Sequence, residues 1–110
     1  MPNNLIRLTY VSTLRSNVAA GDIDELVAKA AVFNKEHGIT GVLAIDKVRV
    51  CQILEGPSDA VDRLFASIEK DGRHHSVTQI ERRAIDASSF EAWGMARRDM
   101  IDMVLFALSA

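Results

Sequence analysis

The chain has 110 residues, 48% hydrophobic and 25% charged, which is the size and make-up of one soluble globular domain that can bury a core without staples. Thirteen Lys and Arg against 15 Asp and Glu leave a formal charge of −2, which argues against electrostatic capture of nucleic acid. The single cysteine, Cys51, excludes an intrachain disulfide and fits a reducing, cytoplasmic setting. The apolar stretch 100–107 is too short for a membrane span and is flanked or interrupted by Asp99 and Asp102, and the N-terminus lacks a secretory pattern.

Residues 5–11 read as a strand, with Ile6, Leu8 and Tyr10 on one face and Arg7 and Thr9 on the other. Asp22 then caps a helix, with Glu25 in the capping-box position. Ile23, Leu26, Val27, Ala30 and Phe33 form its apolar stripe, and Gly38 stops it. Strands over 39–45 and 48–54 are separated only by Asp46-Lys47, which predicts a hairpin. After Gly56-Pro57, Ser58 caps a second helix with the stripe Val61, Leu64, Phe65 and Ile68, which ends at Asp71-Gly72. A fourth strand is expected over 77–84, a short fifth one over 93–97, and an amphipathic tail over 99–110.

This order is β-α-β-β-α-β with an added strand: an α+β, ferredoxin-like domain over residues 1–98, its mixed sheet covered on one face by two helices, followed by the tail 99–110. The tail could cover the open sheet face, join a second chain, or be a helix cut short. Such a fold hosts many functions, so function has to be read from individual side chains.

Three polar residues fall at core positions. Gln52 shares a strand face with Val48, Val50 and Leu54, where an unpaired amide costs about 1–3 kcal/mol. Asn34 continues the buried stripe of the first helix, and Tyr10 ends the apolar face of the first strand. Each has an ordinary reading: a solvated helix end, an edge amide, a core tyrosine with a wet tip. Together they converge on one layer from three elements, the pattern of a small-molecule pocket.

The stretches LIRLTYVS at 5–12, NKEHGITGVL at 34–43, QILEGP at 52–57, DGRHH at 71–75 and FEAWGM at 90–95 resemble, in that order, the BLUF family of flavin-binding blue-light sensors. Tyr10 precedes Asn34 by 24 residues and Gln52 by 42, the family's usual spacing. The resemblance implies a flavin held between the helices, FAD by family habit, with FMN or riboflavin as alternatives. It implies that Tyr10 donates an electron and a proton to the excited flavin, that Gln52 stands between Tyr10 and the ring, and that Asn34 bonds the ring's carbonyl edge. Leu26, Phe33, Leu43, Val50, Ile68, Arg73 and His74 are the further expected flavin contacts, and Trp93 and Met95 the expected signal relay. In the implied mechanism the Gln52 amide rotates or tautomerises, donates to the flavin C4 carbonyl and red-shifts the absorption, so the domain is a switch and not an enzyme. Phe33, Ala30 and Cys51 depart from the residues common at those positions and bear on the flavin contacts and the dark-recovery rate.

The expected partners are the flavin and a downstream effector or a second protomer in a homodimer or higher oligomer, with no nucleic acid and no membrane. Rival functions fit less well. An acylphosphatase-like hydrolase needs a glycine-rich anion loop, whereas STLRSNVAAG offers only Arg15. An RNA-recognition module needs stacking aromatics on its third strand, where there are none. A regulatory or oligomerisation domain binding another small ligand is the remaining alternative. Adjacent His74 and His75 with a distant Cys51 make no metal-ligand set.

Overall fold

The computed structural model describes residues 4–18, 20–87 and 96–98. Its elements are β1 (Leu5–Leu14), α1 (Ala20–Glu36), β2 (Thr40–Asp46), β3 (Arg49–Pro57), α2 (Ser58–Glu69), β4 (His74–Ile85) and β5 (Ala96–Arg98). The sheet order is β4-β1-β3-β2-β5. Its first four strands are antiparallel neighbours and β5 runs parallel to β2. This is the ferredoxin-like order expected, two β-α-β units interleaved so that β1 and β3 lie at the centre.

The core forms where the apolar faces of β1 and β3 meet α2. Ile6, Leu8, Tyr10, Ile39, Leu54 and Val61 are buried together, with Leu64, Phe65, Ile68 and Val77 packed against them. Register explains the grouping: Leu8 pairs with Leu54 and Tyr10 with Gln52, so alternate residues of both strands point to the helices. The opposite face is buried too. Arg7, Thr9, Val42, Ala44, Ile53 and Glu55 are each no more than 8% exposed. Arg7 and Glu55 pair across β1 and β3, with Nε and Oε2 2.7 Å apart, so the buried charge is compensated.

Several boundaries differ from the sequence reading. β1 continues to Leu14, because Ser12 and Thr13, read as the start of a loop, keep pairing with β3. The hairpin turn is Lys47-Val48, one residue later than Asp46-Lys47, since Asp46 still pairs with Arg49. Val48 therefore leaves the strand face it was assigned with Val50, Gln52 and Leu54, and it is 47% exposed. Lys47 takes the left-handed conformation, φ 58°, that the turn demands. β3 runs on through Gly56-Pro57, and β4 begins three residues before 77. The first helix starts at Ala20, which places Asp22 in its first turn, and Glu25 pairs with Lys29. Pro57, not Ser58, is the N-cap of α2 and makes no side-chain cap bond; the Ser58 N–H donates to the Asn4 carbonyl.

Two irregularities lie beside Tyr10. Pairing of β1 with β4 shifts between Thr9 and Tyr10 and again between Val11 and Thr13, and Ser76 in the second shift has φ 57°. Such bulges bend an edge strand and re-aim its neighbours. The expectations for Trp93, Met95 and the tail 99–110 fall outside the described residues, and of the fifth strand only 96–98 is described.

Candidate functional site

A cavity of about 300 Å³ opens between α1 and α2 above the sheet. Its floor is Tyr10, Leu43, Val50 and Gln52. One wall is Leu26, Phe33 and Asn34 of α1, and the other is Ile68 of α2 with Arg73 and His74 beyond it. All ten residues expected at the site thus line one cavity. Alternation along β1, β2 and β3 supplies the floor, because Leu43, Gln52 and Tyr10 sit side by side in register. Helical periodicity supplies the α1 wall through Leu26, Ala30, Phe33 and Asn34.

At the base of the cavity the Tyr10 hydroxyl donates a hydrogen bond to Oε1 of Gln52. The Gln52 carbonyl therefore faces Tyr10, and its amide NH2 is turned the other way. Burial, and secondarily negative charge at Cys51 and Asp71, pushes the Tyr10 phenol well above its ordinary range, so it holds its proton. The Tyr10 ring is tilted against Phe65 at 5.5 Å and meets His74 edge-on at 6.3 Å. Cys51 points from β3 to the opposite sheet face, and burial pushes its thiol up.

Asn34 is fully buried. Its carbonyl accepts from the N–H of Ile39 at 2.8 Å and of His37 at 3.1 Å, which fixes the end of α1. Asn34 has further interactions, yet its Oδ1 is buried and accepts no hydrogen bond among the described residues. Phe33 lies at the mouth, 44% exposed and stacked on His37 at 4.1 Å.

Charged residues rim the opening. Arg73 pairs with Asp71 at 3.1 Å, and Lys29 with Glu25 at 3.0 Å. Burial alone would raise the Asp71 carboxyl, but hydrogen bonds from the Arg73 N–H and guanidinium, with the Arg73 charge, hold it below the usual range. His74 lies deeper, its ring nitrogens 2.8 Å from Ser12 Oγ and 2.6 Å from the Ile68 carbonyl.

Sequence reasoning missed Leu14, Lys29, Ile45, Ser67 and Asp71, which also line the cavity. Leu14 continues the alternation of Tyr10 past residue 11, where the expected strand stops; Ile45 continues that of Leu43. Lys29 carried no signal, because a charged residue on a helix reads as solvated, and Asp71 was marked only as part of the stretch DGRHH and not as a lining residue. Among the described residues no group of three or more His, Cys, Asp or Glu side chains could hold a metal ion, and no helix is long and apolar enough to cross a membrane.

Comparison with known proteins follows the same geometry. The family model "BLUF: Sensors of blue-light using FAD" matches residues 5–96. The Escherichia coli (strain K12) blue light- and temperature-regulated antirepressor BluF is 28% identical over 101 residues, 92% of this chain and 24% of that protein. The Euglena gracilis photoactivated adenylate cyclase subunit beta is 36% identical over 76 residues, 69% of this chain and 9% of that one. The dark-state structure of BlrB, a BLUF protein, superposes with a TM-score of 0.85 at 31% identity, covering 99% of this chain and 83% of the other. The chain thus spans a quarter or less of the curated relatives it matches. With the family model spanning nearly the whole chain and a BLUF structure sharing its fold, this chain belongs to the BLUF family of flavin-based blue-light sensors.

Proposed function

We propose that the cavity between α1 and α2 holds the ring system of FAD and that Tyr10 and Gln52 convert blue light into a hydrogen-bond switch. The observation that carries this reading is the Tyr10 hydroxyl donating to Gln52 Oε1 in the cavity floor. The lining fits a flat ring with polar edges: Leu26, Val50 and Ile68 offer apolar surface, while Asn34 and Gln52 offer amides at the depth of its edge. A volume of about 300 Å³ suits the ring system better than a whole dinucleotide, so FMN and riboflavin share the main contacts with FAD. Arg73, at the rim, would serve the rest of the cofactor, while His74 lines the cavity beside Tyr10.

When bound, the flavin supplies a ring that absorbs blue light and becomes a strong electron acceptor. Tyr10, the phenol bonded to Gln52, would be the residue that lends it one electron and a proton and takes both back. Meanwhile the Gln52 amide rotates or tautomerises, so that the group facing Tyr10 and the group facing the ring are exchanged. A phenol and an amide can make this exchange without leaving a buried charge behind. Nothing is consumed, so the domain acts as a sensor and not as a catalyst. The sensor unit is residues 1–98, and the output passes through Trp93 and Met95 to an effector or a second protomer in the cytoplasm. The names of the relatives above support an effector as the recipient: an antirepressor in one, an adenylate cyclase in the other.

The test is spectroscopic. The purified protein is expected to be yellow, with bound FAD released on denaturation, and to show a reversible red shift after blue light. A colourless protein that takes up no flavin would overturn the reading.

A further inference from the structure

His74 joins three parts of the site. Its Nε2 lies 2.6 Å from the carbonyl oxygen of Ile68 near the end of α2, and its Nδ1 lies 2.8 Å from the Ser12 hydroxyl on β1. Its ring stands edge-on to Tyr10, with centroids 6.3 Å apart and planes at 79°. A carbonyl oxygen only accepts, so Nε2 carries a proton. In the neutral ring Nδ1 is then an acceptor, and the Ser12 hydroxyl donates to it.

A second proton on the ring breaks this arrangement. Nδ1 becomes a donor, and Ser12 must turn its hydroxyl round to accept. Ser12 is 5% exposed and lies two residues from Tyr10 on the same face of β1, so the reversal takes place beside the phenol. The new positive charge also sits one ring away from Tyr10, where it opposes the loss of an electron from the phenol. The ionisable groups around the ring come from each neighbouring element. They are Tyr10 of β1 and Asp71 and Arg73 of the loop before β4; Lys29 of α1 borders the same cavity at its rim, paired with Glu25, and α2 contributes the Ile68 carbonyl. Asp71 and Arg73 are already paired with each other, and histidine is the side-chain type that can gain a proton between about pH 5 and 8.

We propose that His74 is a positioning residue for Tyr10 and that its protonation, read through Ser12 and the added charge, lowers the yield of the light reaction. This rests on the flavin-sensor reading above. The electron and proton that leave Tyr10 go to the excited flavin and return from it, and the His74 proton exchanges with solvent only.

The experiment uses the flavin-loaded chain between about pH 5 and 8. Two quantities are measured: the yield of the red-shifted state per absorbed light, and the dark-state NMR positions of the Tyr10 ring protons. In the wild type the yield is expected to fall at least about threefold toward the acid end along a one-proton curve, and the Tyr10 signals to move with the same midpoint as the His74 ring proton. His74→Gln and His74→Asn, which cannot titrate, are expected to give flat profiles. A red shift whose yield does not vary with pH, or a profile that survives in both variants, overturns the proposal alone. If the variants do not fold, Tyr10 signals in the wild type that ignore the His74 titration overturn it equally. A wild-type protein with flavin but no red shift at any pH overturns the underlying reading, and this proposal with it.

Discussion

Tyr10 is the only tyrosine in the chain, so its chemistry can be followed without interference from another phenol. Burial raises its pKa in the folded protein, while the unfolded chain titrates near the ordinary tyrosine value of about 10. The folded state therefore keeps a proton that the unfolded state loses. This contribution to stability is complete below about pH 10 and is lost as the pH rises through the folded-state value. Alkaline titration followed by the phenolate ultraviolet band and by circular dichroism is expected to show both changing together; a phenolate that appears while the fold is intact would contradict the buried geometry. Tyr10, Asn34 and Gln52 were legible in the sequence because polar groups at apolar-periodic positions are anomalies. As cavity-lining residues, Asp71 and Lys29 were not: Asp71 pairs with Arg73 in a loop that no periodicity marks, and Lys29 pairs with Glu25 along α1 as any solvated helix lysine can.

The central strands hold Tyr10 and Gln52 in register. Tyr10 faces Gln52 because β1 and β3 pair residue against residue, and three positions along the same ladder Arg7 faces Glu55. That ion pair is buried, with side-chain exposures of 7% and 0%. Removing one partner strands a buried charge, so Arg7→Met is expected to destabilise the domain by about 3–5 kcal/mol, while Arg7→Met with Glu55→Leu recovers most of the loss. Denaturant unfolding of the two proteins checks this; a single variant as stable as the double would contradict it. Gly56 is tight for a different reason. A Cβ there would stand 2.9 Å from the Gly38 carbonyl oxygen and 3.1 Å from the Ile39 Cα, where the loop after α1 crosses the end of β3. Gly56→Ala is expected to cost about 1–3 kcal/mol in the same assay. The order of elements and both helix stripes could be read from hydrophobic periods, but strand ends could not. Val48 has the side chain of a strand residue and sits in a turn, and Ser12 has that of a loop residue and sits in β1, held by His74. Nor did alternation reveal that the face carrying Arg7 is buried, since Arg7 and Thr9 read as the wet side of the strand.

At the scale of the whole domain, the cavity lies between α1 and α2 and is lined largely by apolar side chains. A cofactor that fills the space stabilises the folded state by mass action, about 2.7 kcal/mol at a hundredfold excess over its dissociation constant. Flavin-free protein is thus expected to melt on the order of 10 °C below the loaded form, and a melting temperature unchanged by flavin would place the cofactor elsewhere. The central claim is narrower: light is converted at the contact between Tyr10 and Gln52. Its most direct test is the light-minus-dark absorption spectrum of Gln52→Leu beside that of the wild type, at matched flavin occupancy. The wild type is expected to show the reversible red shift, and Gln52→Leu to bind flavin and show none. A full red shift in Gln52→Leu would contradict the account.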